Sequence, residues 1–237
     1  MKELSNIALA GCAHPQAHAH IVLNVLIACE ESQAECSAFR ELGHNAYSCD
    51  LQQCRPSGNP AWHIVGDCVP YLCGRNQFVT QDGIERSVPS WDLIICHPPC
   101  TYICKVSSVQ LVRWIDGCAW LNEERLHKMW DAVAFFHVCL NANAPYVAVE
   151  NPQPMARARL PQPTFYACPS WFGVKYTKKT LYWTKNLPPL VADVEYPNPK
   201  EFVRSSRGKY RSRTFPELAR AIARQWSAYI INDMKKI

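Results

Sequence analysis

The chain has 237 residues, 48% of them hydrophobic, enough to bury the core of one large α/β domain. Its formal charge of +5 and pI of about 8.5 fit a nucleic-acid or phosphate-bearing partner without requiring one. No apolar run approaches the ~20 residues of a membrane span, which excludes a helical membrane protein.

Residues 1–20 read as a flexible leader. Leu9 to Cys12 mimics a lipoprotein cleavage site, but the apolar stretch before it is too short for a signal peptide. His14, His18 and His20 could hold a metal weakly, but a flexible tail offers no preformed ligand geometry. The 13 cysteines are odd in number, scattered and without a Cys-x-x-Cys pair. That pattern argues for a reducing, cytoplasmic setting and mostly inert buried thiols.

Residues 21–237 are expected to form one domain. Ile21 to Ala28 is short, apolar and β-branched, the pattern of a central parallel strand. A helix over 30–42 follows, with Ala34, Ala38, Phe39 and Leu42 on one face and Gly43 as its stop. Asn45 to Cys49 is a second strand ending at Asp50, and His63 to Val65 a third leading to Gly66 and Asp67. Residues 75–90 read as a surface excursion before a strand over Trp91 to Cys96. Glu123 to Leu140 is a helix with Leu126, Met129, Trp130, Val133, Phe136 and Val138 on its apolar face. Pro145 to Val149 is the next strand, running into Glu150, Asn151 and Pro152. Thr180 to Trp183 is a further strand, Lys200 to Arg213 a loop, and Phe215 to Ile231 a closing amphipathic helix. Alternating strands and helices predict a Rossmann-like, doubly wound, mostly parallel sheet.

In such a sheet ligands bind beyond the carboxyl ends of the strands. Every expected strand ends there in something polar or reactive: Cys29, Glu30, Glu31 and Ser32; Asp50; Asp67; His97 to Cys100; Glu150. In the stretch "DLIICHPPCTY", Pro98 and Pro99 stiffen the loop that carries Cys100, which suits a nucleophile. Glu150 at the next strand end is expected to have a raised pKa and to act as a proton donor or ring-nitrogen partner. A reactive Cys100 would need a lowered pKa, and His97, Lys105 and Arg113 are the candidate cations. A zinc set of Cys96, Cys100 and Cys104 needs a helix that the two prolines break.

The Pro-Pro-Cys at 98–100 resembles the nucleophile motif of the cytosine-C5 DNA methyltransferases. Glu150 to Pro152 resembles their Glu-Asn-Val motif, and Gly66-Asp67 their adenine-contacting acidic motif. From about Val25 to Trp183 the chain is similar to compact methyltransferase-like proteins common in phages and prophages. The resemblance implies a class I methyltransferase fold with no large recognition domain, and S-adenosylmethionine as cofactor. It implies that Cys100 attacks C6 of cytosine while Glu150 holds N3, making C5 able to accept a methyl group. It further implies that Asp50 binds the cofactor ribose, Asp67 its adenine, and Cys29, Glu30, Glu31 and Ser32 its methionine end, with His97 and Pro98 bordering it. Thr101, Asn151, Lys178 and Lys179 would face the substrate. Between Trp183 and Thr214 lie Arg204, Arg207, Lys209, Arg211 and Arg213, a loop that could track phosphates or be simply solvated.

The chain departs from the family pattern in its glycine-free first loop, in Thr101 after the cysteine, and in lacking a Gln-x-Arg motif. Two alternatives stay open: methylation of an amino group of cytosine or adenine, and an inactive nucleic-acid-binding or decoy protein. DNA is the expected substrate, with single-stranded DNA, RNA and free nucleotide open. Trp114, Trp120 and Trp130 are expected to pack in the core, and Cys36, Cys118 and Cys139 to be small buried hydrophobes.

Overall fold

The computed structural model describes residues 21–201 and 214–236. The expected leader and its histidines lie outside the described residues, as do Arg204, Arg207, Lys209, Arg211 and Arg213. The centre is a seven-stranded sheet. Five strands are parallel: β1 (Asn24–Ala28), β2 (Asn45–Asp50), β3 (His63–Val65), β6 (Leu93–Cys96) and β9 (Tyr146–Asn151). Two more complete it: β10 (Phe165–Ala167), and β12 (Thr180–Lys185) between β10 and β9, antiparallel to both. The spatial order is β10-β12-β9-β6-β1-β2-β3.

The period-two alternation of the central strands sends their side chains to two separate cores. Val25, Ile27, Leu93, Ile95 and Ala148 point to the face covered by α1 (Ala34–Glu41) and α4 (Pro216–Met234). Along α4, Leu218, Ile222, Trp226 and Ile230 recur every four residues and are all buried. Leu26, Ala28, Ile94, Cys96, Val147 and Val149 point the other way, toward Met129 and Phe136 of α3 (Glu123–Leu140). Each fully buried aliphatic or aromatic side chain contributes about 1.5–3 kcal/mol. Asn122 starts α3 by accepting the Arg125 N–H at 3.2 Å, and Glu123 and Glu124 complement the helix dipole.

Three expectations are corrected. Residues 75–90 are more than surface, because α2 (Val69–Leu72) leads into a hairpin of β4 (Gln77–Val79) and β5 (Glu85–Ser87). Its Phe78 is buried 4.7 Å from Tyr47 and 5.6 Å from Trp91. Leu42 is exposed, since α1 stops one residue before it. The largest difference is a second hairpin, β7 (Val112–Ile115) and β8 (Cys118–Leu121), projecting between the Cys100 loop and α3. It leaves Trp114 and Trp120 exposed, along with Cys118, and Trp130 on α3 is exposed too. Cys36 and Cys139 are buried. The short pair β11 (Tyr176–Thr177) and β13 (Lys200–Glu201) lies apart from the main sheet.

Parallel pairing aligns Ala28 with Cys49 and Cys96, Cys96 with Val149, and Asp50 with Val65. The carboxyl ends of all five strands therefore lie along one edge. Strand order reverses between β1 and β6, where a doubly wound sheet opens its ligand crevice.

Candidate active site

The Cys100 loop is held from both sides. Strand β6 ends where His97 N–H donates to Ala28 O at 2.9 Å, and Asn151 Nδ2 donates to Pro98 O at 2.9 Å. Pro98 and Asn151 are both buried, so Asn151 fastens the loop to β9 from below. The Cys100 carbonyl accepts N–H bonds from Ile103 at 3.1 Å and Cys104 at 3.0 Å, closing one turn. Beyond it, Lys105 N–H donates to Gln153 O and Met155 N–H to Ile103 O, both at 2.8 Å. Arg125 closes the outer side, donating to Thr101 O at 2.6 Å with its guanidinium 4.4 Å over the Tyr102 ring. Cys100 is left half-buried at the crevice, and the Thr101 side chain is exposed.

The turn brings two thiols together. A hydrogen bond from Cys100 is the main influence lowering Cys104 to about 5, against the opposing effect of burial and with help from Ser107. The Ser107 hydroxyl lies 3.5 Å from the Cys104 sulfur. Cys100 is pushed up by that same bond, by burial and by the charges of Cys104 and Glu150. The two thiols therefore act on one another, with Cys104 the more acidic and Cys100 the less. Two of the three candidate cations, His97 and Arg113, have other partners: His97 is engaged elsewhere, and Arg113 lies 3.5 Å from Glu124 on the surface. Cys96 is wholly buried in the core with Cys139, and burial first, then Cys139, pushes its thiol up. Among the described residues no group of three or more His, Cys, Asp or Glu is arranged to hold a metal ion.

Behind the loop lies a row of charges. His97 Nδ1 is 3.1 Å from Glu150 Oε2, and its Nε2 is 3.2 Å from Glu35 Oε2 without the alignment of a hydrogen bond. Glu35 is wholly buried. Burial pulls the His97 pKa down, but Glu35 and Glu150 outweigh it and hold the imidazole well above its usual range. Burial likewise raises Glu150, yet the His97 hydrogen bond and the Lys178 charge win and place it below the usual range. The expected raised pKa of Glu150 is thus reversed, and the proton of this row sits on His97. Glu30 differs: burial first, then the Glu35 charge, raise it to about 8.

The first loop makes its turns without glycine. Cys29 and Gln33 have left-handed φ of 62° and 57°, each costing about 1–2 kcal/mol for a residue with a Cβ. Gln33 is buried and tied down: Nε2 donates to Ser48 Oγ and Asn59 O, both at 3.1 Å, and Oε1 accepts the Asn59 N–H at 2.6 Å. Glu30 accepts the Glu35 and Cys36 N–H groups at 2.7 and 3.2 Å, and Ser32 Oγ accepts that of Ala34 at 3.4 Å. The amino end of α1 is therefore satisfied by the chain's own side chains. Glu31 pairs with Arg55 at 2.5 Å. Asp50 and Asp67, at adjacent strand ends, accept the Gln52 and Val69 N–H groups at 2.9 and 3.0 Å.

Cys100, Glu150, His97 and Lys178 thus share one cluster, while Lys179 lies 4.3 Å over the Tyr166 ring. Sequence reasoning missed Glu35, Cys104 as a thiol partner, and Arg125. Glu35 did carry a signal: it stands three and four residues before Ala38 and Phe39, on the buried face of α1. Compared with known proteins, the chain matches no family model and no curated protein.

Proposed function

We infer that the chain is an S-adenosylmethionine-dependent methyltransferase acting on C5 of cytosine in nucleic acid. The observation that carries this reading is the loop after β6, which sets Cys100 half-buried at the crevice in one cluster with His97 and with Glu150 of the neighbouring parallel strand. The sheet order adds support, because the antiparallel β12 departs from the 3-2-1-4-5-6 dinucleotide-binding arrangement.

The cofactor edge fits the same reading. A pyrophosphate would need a free helix amino end, and Glu30 already occupies that of α1. Carboxylates at Asp50 and Asp67 suit a cationic, hydroxyl-bearing ligand. Asp50 and Asp67 would hold its ribose and adenine, and the loop from Cys29 to Ser32 its methionine end. S-adenosylmethionine, when bound there, supplies the methyl group.

The rest of the chemistry belongs to the chain. The Cys100 proton is released to water as the Cys100 sulfur forms a bond to C6 of cytosine. Negative charge develops on the ring and is met at N3 by a proton passed from His97 through Glu150. Glu150 serves as a relay whose proton comes from the imidazolium behind it. After transfer, loss of the C5 proton to a base and breakage of the S–C6 bond free the product and return the thiol.

The test is transfer of labelled methyl to duplex DNA, single-stranded DNA, RNA and dCMP in parallel, with the product base identified. The expected product is 5-methylcytosine, abolished by C100S. C104S removes the neighbour that pushes Cys100 up and should leave transfer that persists to lower pH. Absence of 5-methylcytosine from all four substrates would overturn the reading. A 4-methylcytosine or 6-methyladenine product that survives C100S would establish amino-group methylation instead.

A further inference from the structure

The projecting hairpin β7–β8 has no role in the chemistry above. Leu111 is buried at its base, where Asn122 N–H donates to Leu111 O at 2.8 Å. At its tip Asp116 and Gly117 have φ of 48° and 77°, the left-handed pair of a tight two-residue turn. Between base and tip all eight strand residues are exposed. Trp114 is 73% exposed and Trp120 59%, large values for the residue type with the most apolar surface to hide.

Register assigns the two indoles to opposite faces. Val112 pairs with Leu121 and Trp114 with Ala119 on one face, whereas Arg113 pairs with Trp120 and Ile115 with Cys118 on the other. A docking surface for a folded protein would gather its apolar residues on one side. A two-sided blade carrying one flat ring on each face is shaped to enter between bases.

The clefts beside the blade are cationic. Lys105 and Arg157 line the cleft on the Val112–Leu121 side. Arg113, Arg125 and Lys128 line the one bordered by Tyr102, together with its single carboxylate, Glu124. A third cleft, sharing Gln153 to Ala156 with the first, is lined by Arg159 and Lys179 and contains no acid. Arg113 and Lys128 pair with Glu124 at 3.5 and 2.6 Å, but all three side chains are about half exposed, so the pairs are weak. The Cys100 turn lies at the junction, bridged through Cys104 to Pro154. Cation-lined grooves with interleaved aromatics are what a polyanion with stackable bases requires.

We propose that the β7–β8 hairpin is a single-strand nucleic-acid blade, with Trp114 and Trp120 stacking on unpaired bases beside the strand presented to Cys100. This rests on the reading of the site as one that acts on nucleic acid, and it specifies an unpaired strand as the ligand. The hairpin then does the work that a large recognition region would do.

The test titrates the full chain with a fluorescein-labelled, unstructured oligodeoxynucleotide of about 20 thymidines and cytidines and with a matching duplex, following anisotropy and tryptophan quenching. The single strand is expected to quench and to bind more tightly than the duplex, with affinity falling as salt is raised. W114A/W120A should weaken binding at least about tenfold with unchanged circular dichroism and melting temperature. W114F/W120F should restore most of the loss, and W130A, on α3, should stay within about twofold of wild type. Wild-type affinity in the double alanine variant overturns the proposal. So does a wild-type chain that binds phosphatidylglycerol vesicles but no oligonucleotide. Methyl transfer, measured on the same samples, separates the two readings. Methylated cytosine with tryptophan-independent binding refutes the blade alone, and tryptophan-dependent binding without any methylated base refutes the methyltransferase alone.

Discussion

Replacing His97 by glutamine tests the charge row behind the Cys100 loop. Glutamine keeps much of the volume and one hydrogen-bond donor but cannot carry a proton. At 3.1 and 3.2 Å, each carboxylate attracts the imidazolium by about 5 kcal/mol at an effective dielectric of ~20. The cost of burying the imidazolium offsets much of this, so the net loss expected for H97Q near neutral pH is about 3–5 kcal/mol. The sign of the pH dependence is specific. His97 has its folded pKa raised, so its contribution is complete below the unfolded value near ~6.5 and disappears as pH rises through the folded value. Glu30, raised to about 8, also loses stability in that window, but it does so in both proteins. Urea-unfolding free energies at about pH 6 and about pH 9 should therefore converge between wild type and H97Q as pH rises. A variant that loses less than about 1 kcal/mol, with a pH dependence parallel to wild type, would refute His97 as the counter-ion.

Two further expectations follow from the site. Iodoacetamide should modify Cys104 before Cys100, with a rate that falls as pH drops through about 5. C100A removes the hydrogen-bond donor and should slow Cys104 alkylation at mildly acidic pH; peptide mapping that finds Cys100 modified first would reverse the order of acidity of the two thiols. Q33A, which strands partners on Ser48 and Asn59, should cost about 2–3 kcal/mol in thermal unfolding. Gly58→Ala should destabilise as well, because its Cβ would lie 2.5 Å from Gln33 Oε1, and combining it with Q33A should recover part of that loss.

The strand-end residues were legible from sequence because a parallel strand is a short apolar run, and the polar residue ending it marks the ligand edge. Asp50, Asp67, His97, Cys100 and Glu150 were found on that basis, and parallel pairing brings their strand ends to one edge. The α3 limits matched residue for residue, since an Asn cap and a sustained helical period are both local signals. What the tertiary structure decided was how those residues act on one another. That β12 runs antiparallel, that Glu35 meets His97, and that Glu150, 53 residues from His97, is pulled below rather than above its usual pKa all depend on contacts no window contains. Trp114 and Trp120 show the same limit from the other side. An indole is apolar wherever it stands, and whether it is covered depends on what else the fold brings to it. Local pattern determines which elements form and where they end; burial and charge pairing, which need the whole chain in place, determine what their side chains can do.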